Sequence, residues 1–184
     1  MRTRWIPDQI LYDGTPLESL WAYRRFRVQG DSIVAFAGAC DIPEDRIVDW
    51  EDRLAGSRIY SHFMLHFIVE HFDPDLEKGI WRQRLLSAIA RDLLAERTRA
   101  GIRREGDDLF EGDRKLSISI ATLTPVSTKI HFGINIRSDG TPVPTKGLAD
   151  YDVHPEAFAK EVLAAYAAEC ESIAAARCKV KGIL

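Results

Sequence analysis

The chain has 184 residues, a formal net charge of −3, 29% charged residues and 9% aromatic residues. That length suits one domain, expected to span residues 1–184, with a core large enough to need neither disulfides nor a structural metal. The weakly acidic balance leaves no electrostatic footprint for nucleic acid or an anionic membrane. Cys40, Cys170 and Cys178 are odd in number and lack CxxC spacing, which argues against a disulfide framework or a thiolate zinc site. The opening MRTRWIPDQI lacks the apolar centre of a signal peptide, and no apolar run approaches the roughly 18 residues of a membrane span. A cytoplasmic address is therefore expected.

Residues Trp5 to Leu11 read as an extended lead-in. Thr15-Pro16-Leu17-Glu18 reads as a helix start, with Thr15 as cap and Glu18 where a capping box wants an acid, so a helix is predicted from Pro16 to about Phe26. Arg24, Arg25 and Arg27 read as its solvated end. Ser32 to Ala39 is a short apolar run with β-branched members, a buried strand. Cys40 to Gly56 is an acidic, loop-like stretch, with a short helix at Pro43–Val48 and acids at Asp41, Glu44, Asp45, Asp49, Glu51 and Asp52.

Arg58 to Phe72 has two readings. As a helix it places His62 and His66 four apart, a spacing that can serve a metal. As a strand it alternates cleanly, with Ile59, Ser61, Phe63, Leu65, Phe67 and Val69 on one face and Tyr60, His62, Met64, His66, Ile68 and Glu70 on the other. The alternation and the β-branched and aromatic content favour the strand. On that reading His62, His66 and Glu70 line one face, either as a pocket wall or as ordinary polar residues.

Lys78 to about Arg99 is the longest predicted helix, with Ile80, Leu85, Ile89, Leu93 and Leu94 as its buried stripe and Gly101 ending it. Ile102–Arg104 and Leu109–Phe110 are short strands around a Gly106-Asp107 turn, and Glu111-Gly112-Asp113 is a tight hairpin turn. Lys115 to Leu123 alternates, with Leu116, Ile118 and Ile120 on one face and Lys115, Ser117, Ser119 and Ala121 on the other. Thr124-Pro125 breaks this strand, and Lys129 to Ile136 forms another. Pro142 to Val153 reads as an ordered loop. The last helix runs from Glu156 to about Val180, with Phe158, Val162, Ala165, Tyr166, Cys170 and Ile173 inward. The whole is a mixed α+β pattern: helices on a largely antiparallel sheet.

The block Ile59 to Asn135 resembles the catalytic core of biotin and lipoate protein ligases. It carries Asp107-Asp108-Leu109-Phe110, then Arg114-Lys115-Leu116-Ser117-Ile118, then Gly133-Ile134-Asn135, in that family's order and spacing. The chain also looks like an uncharacterised prokaryotic family, domain of unknown function 366, through MLHFI-EHF, DRKLS-SIAT and HFGINI. The resemblance implies a biotin/lipoate ligase-like α+β fold of the class II aminoacyl-tRNA synthetase type. It implies that Lys115 meets a substrate carboxylate or acyl-adenylate, that Asp108 is a pocket acid, and that Asn135 has a lesser role at a strand end. In the related octanoyl transferases a cysteine nucleophile follows, and the matching place here offers Ser127, whose hydroxyl is much harder to deprotonate.

One departure bears on the cofactor. The ligases carry a Gly/Arg-rich phosphate loop after the second strand, whereas Cys40 to Gly56 is acidic with no glycine between its ends. Such a stretch would repel a triphosphate, so ATP use is in doubt and the cofactor is left unknown. The expected roles are catalytic for Lys115 and Asp108 and substrate-binding for His62, His66, Glu70, Ser117 and Asn135, with no metal assigned. Three functions compete: an acyl or carboxylate ligase- or transferase-like enzyme, a non-catalytic binding module for a carboxylate or nucleotide-like ligand, and a metal-assisted hydrolase using His62, His66 and Glu70 or His71. A small-molecule ligand is the expected partner, with a homodimer left open.

Overall fold

A computed structural model describes residues 1–141 and 143–183. Pro142, the start of the predicted 142–153 loop, lies outside them. The strands are β1 (Arg2–Trp5), β2 (Ser32–Asp41), β3 (Tyr60–His71), β4 (Ile102–Glu105), β5 (Asp108–Glu111), β6 (Arg114–Lys115), β7 (Ser117–Leu123) and β8 (Thr128–Asn135). The helices are α1 (Trp21–Phe26), α2 (Trp50–Leu54), α3 (Leu76–Thr98) and α4 (Pro155–Ala176), with short 3-10 turns at Thr15–Leu17, Glu44–Arg46 and Leu148–Tyr151.

Five strands form a sheet in the order β1-β2-β3-β8-β7, and β4-β5-β6 form a second, smaller one. Only the β1–β2 pairing is parallel among the described strands. One face of the large sheet carries Ile33, Leu65, Phe67, Ile130, Phe132 and their neighbours, and α3 and α4 cover it. The other carries Val34, Phe36, Met64 and Ile68, and the segment from Ile6 to Ala22 covers it. That segment stays bonded to β2, with Ile6 N–H donating to Ala35 O and Tyr12 N–H to Ala39 O. It rides directly over Gly38, where a Cβ would stand 1.9 Å from Ile10 O, so only glycine lets the backbones approach.

Several predicted elements shift. The helix predicted over 16–26 is a 3-10 turn and a separate α1, because Leu20 takes a left-handed conformation (φ 59). The buried Glu70 holds it there, since Oε1 accepts the Leu20 N–H at 2.9 Å. Thr15 bonds Asp13 rather than capping, and Glu18 pairs with Arg24. The stripe of α3 is rotated from the predicted one. Gln83, Leu86, Ser87, Ala90 and Leu94 are buried, while Ile80 is exposed, because α3 packs on both sheets as well as on α4. On α4 the inward set adds Ala159, Leu163 and Ala167, and Ile173 is exposed.

Candidate functional site

Two adjoining cavities open beside β7. The larger, about 320 Å³, lies between the sheet, the β2–β3 connection and the start of β5, with Tyr12, Ile42, Asp52, Asp108, Ile120 and His131 among its walls. The smaller, about 220 Å³, is walled by Arg58, Ser61, Ser117, Asn135 and Thr141 among others. Asp52, Ile59, Lys115 and Ile118 border both, so Lys115 stands at the seam.

The local chain explains how Lys115 gets there. Gly112 takes φ 55 in the β5–β6 turn, a conformation glycine adopts without penalty, and Lys115 then pairs with Phe110 across the hairpin. The 143–147 loop zips onto it: Lys115 N–H donates to Pro144 O and Lys146 N–H donates to Lys115 O. The Lys115 Nζ is 2.6 Å from Asp108 Oδ2, with side chains 32% and 26% exposed. The other oxygen, Asp108 Oδ1, is sealed from solvent and has no hydrogen-bond partner among the described residues. Burial raises the Asp108 carboxyl above its ordinary range. The Lys115 ammonium opposes that shift, and Asp107 and Asp52 add to it. Behind this pair, Gln83 Nε2 on α3 donates to Asp107 Oδ2 at 2.7 Å and Ser119 Oγ at 2.9 Å, tying the helix to both sheets.

The walls of the larger cavity are acidic. Asp49, Asp52, Asp107 and Asp108 face it with two cations, Arg46 and Lys115. Arg46 pairs with Asp13 at 2.9 Å. Asp49 caps α2, accepting the Glu51 and Asp52 N–H groups. Deeper in, Tyr12 stacks on His131 at 3.7 Å between ring centroids, and His131 Nε2 lies 3.0 Å from His66 Nδ1. Burial pushes the His66 imidazole down to about 4 and His131 far below its ordinary value, so both rings are neutral at pH 7.

The structure brings some expected residues together and separates others. Lys115 and Asp108 are paired in the cleft, and Asn135 lines the smaller cavity, its Oδ1 accepting from Ser61 Oγ at 3.2 Å. Ser117 also borders that cavity, but it does not continue a face begun by Lys115. The chain leaves the small sheet after Lys115 and enters the large one at Ser117, where its Oγ accepts the Leu109 N–H at 2.8 Å. Ile118 and Ile120, expected opposite the lysine, are themselves cavity walls.

The histidine strand needs the larger correction. Between Ser61 and Met64 β3 advances three residues while β2 advances two, from Cys40 to Gly38. This bulge swaps the side-chain alternation. His62 therefore parts from His66 and Glu70. It is exposed, stands against Gly140 and bonds the Tyr60 hydroxyl through Nδ1 at 3.1 Å. His66 is fully buried behind His131 and reaches neither cavity. Glu70 lies further along the strand in a sealed ion pair with Lys129 at 3.1 Å, both side chains buried. Burial pulls the Lys129 amine down, and Glu70 opposes that shift. Ser127 is buried there too, donating to Glu70 Oε1 at 2.8 Å, so it belongs to that polar core rather than to the cleft. Among the described residues no group of three or more His, Cys, Asp or Glu converges to hold a metal.

Tyr12 and His131 were not singled out from the sequence, whereas Asp52 was named only as one acid of the 40–56 stretch. His131 had a usable signal: Lys129, His131, Gly133 and Asn135 alternate on β8 as His66 and Glu70 do on β3. Tyr12 had none, because it comes from a segment without periodicity. No described helix is long and apolar enough to cross a membrane.

Relatives share this architecture. "Uncharacterized protein MJ0805" of Methanocaldococcus jannaschii is 37% identical over 176 residues, covering 92% of this chain and 79% of that one. The structure of a "Protein of Unknown Function from Pyrococcus horikoshi" superposes with a TM-score of 0.93 at 36% identity, covering 99% of this chain and 100% of the other. The biotin protein ligase of Aquifex aeolicus superposes at 0.62 with 12% identity, covering 93% and 70% of the two chains. The structure of protein Ta0514 from T. acidophilum with bound lipoic acid superposes at 0.58 with 14% identity, covering 92% and 86%. The last two likenesses show the expected biotin/lipoate ligase-like α+β fold. The model of one family, "Domain of unknown function (DUF366)", matches residues 1–181, and this chain belongs to that family.

Proposed function

We propose that the paired cavities bind a small molecule bearing a carboxylate or acyl group, and that Lys115 and Asp108 act on it. The observation that carries this reading is the half-buried Lys115–Asp108 pair, with Lys115 standing at the seam of the two cavities. The Lys115 ammonium, partly withdrawn from water, stabilises negative charge on a ligand oxygen more strongly than it would in bulk solvent. The Ta0514 structure holds a carboxylic acid, lipoic acid, on the same fold, which supports that ligand class. His62, His66 and Glu70 are left out of the proposed site, while Ser117 and Asn135 stay as walls of the smaller cavity.

An acyl- or carboxylate-transferring enzyme is the first reading. A binding module without catalysis is the second, favoured by the acidic walls: Asp49, Asp52, Asp107 and Asp108 oppose a triphosphate, and with it an ATP-driven activation step. Thermal unfolding with octanoate, lipoate, biotin or ATP tests the ligand class. A ligand at a hundred times its Kd stabilises the native state by about 2.7 kcal/mol. At least one of the three acids is expected to raise the melting temperature of the wild type and to leave Lys115→Ala unmoved. Failure of all three acids, or equal shifts in the variant, refutes the reading. Turnover of an octanoyl thioester that disappears in Lys115→Ala would favour the enzyme, and binding without turnover the module.

A further inference from the structure

The hydrogen bonds around His66 fix the proton positions of both buried histidines. His66 Nε2 lies 3.2 Å from Gly38 O, and a carbonyl only accepts, so this nitrogen carries the hydrogen. In a neutral ring the other nitrogen is then bare, and His66 Nδ1 must accept across its 3.0 Å contact with His131 Nε2. His131 Nε2 is therefore the donor, and His131 Nδ1 is left as a bare acceptor. No bond to it is formed by the described residues. The ring is also held in place. Tyr12 stacks on it with an interplanar angle of 14°, and a Cβ at Gly133 would come within 3.2 Å of its Cε1 and Nε2. Where His131 meets open space, it meets the larger cavity.

The position of His131 relative to Lys115 gives the nitrogen a use. Asn135 N–H bonds Leu116 O, next to Lys115, and His131 is four residues further along β8. At a strand rise of about 3.4 Å per residue, its backbone is about 14 Å from the lysine end. We propose that His131 is a ligand-recognition residue whose Nδ1 accepts a hydrogen bond from the far end of the molecule held at Lys115. That ligand is then a carboxylic acid or acyl compound with a hydroxyl or amide-type N–H at its distal end, not a plain fatty acid. The inference rests on the carboxylate reading above and narrows it.

Two measurements test it. Nitrogen-15 spectra of the imidazoles report tautomers without any ligand. Both His66 and His131 are expected as neutral Nε2–H rings at pH 7, and a His131 ring that is charged or protonated at Nδ1 overturns the inference. The second compares binding of 8-hydroxyoctanoate and octanoate to wild type, His131→Asn and His131→Gln. An asparagine oxygen takes the place of Nδ1, whereas a glutamine amide replaces the Nε2 donor to His66 and offers nothing at Nδ1. Wild type and His131→Asn are expected to prefer the hydroxy acid about fivefold, the yield of one net hydrogen bond, and His131→Gln to lose the preference. A merely structural role for His131 would lower the affinity for both acids together. Equal binding of the two acids by wild type overturns the inference and leaves the Lys115 reading standing, as does a preference that survives in His131→Gln. Binding of neither acid overturns this inference, and the Lys115 reading then falls only if lipoate and biotin fail as well.

Discussion

Acid should unfold this protein through its buried histidines, and His66 supplies a magnitude. Its ring is fully buried against Phe36, Tyr12 and His131, and burial holds it at about 4, below its ordinary 6.5. A basic group depressed in the folded state takes up its proton first in the unfolded chain. The unfolded state therefore binds more protons between those two values, and stability falls as pH falls from 6.5 toward 4. The loss from His66 is on the order of 2 kcal/mol by pH 5 and ~3 kcal/mol by pH 4. His71, also held low by burial, and His131 push in the same direction, so the wild-type slope mixes several groups. His66→Gln isolates one share. Urea unfolding at pH 7, 6, 5 and 4 should show wild type losing about 2 kcal/mol more than this variant between pH 7 and 5. Equal slopes for the two proteins would refute the claim that the ring is held neutral.

Two further outcomes follow from the same sheet face. Lys129→Met removes one half of the sealed Lys129–Glu70 pair and should cost about 3–5 kcal/mol in urea unfolding, with part of the loss recovered in Lys129→Met/Glu70→Gln. A single-variant loss under ~1 kcal/mol would mean that water or a proton already neutralises the pair. Gly38→Ala drives a methyl group into Ile10 O, lifts the segment that carries Tyr12, and should cost on the order of 3 kcal/mol while weakening ligand binding in the cleft. A variant as stable as wild type would show that this segment is not pressed onto β2.

Much of the fold was legible because its elements have strong periods. The strand over 58–72, the long helix after Pro74 and the turn residues Gly106 and Gly112 each depend on local sequence, and each appears within a residue or two of its expected place. The Lys115–Asp108 pair was legible only through the family pattern, since nothing in the periodicity marks one lysine over another. One error at the site has a local cause in the pairing of β3. His62, His66 and Glu70 were grouped by strict alternation, and a bulge of one residue, set by pairing with a strand more than twenty residues away, parted His62 from the other two.

By itself, the sequence determined the element types, the mostly antiparallel sheet and the absence of a glycine-rich phosphate loop, because these depend on neighbouring residues. The tertiary structure decided which sheet face is open. The segment from Ile6 to Ala22 carries no pattern that announces its destination, yet by covering the β2–β3 face it buries His66 and Glu70 and leaves His131 at the cavity. A polar side chain becomes a site residue or a core residue according to what packs over it, and here that covering comes from a distant part of the chain.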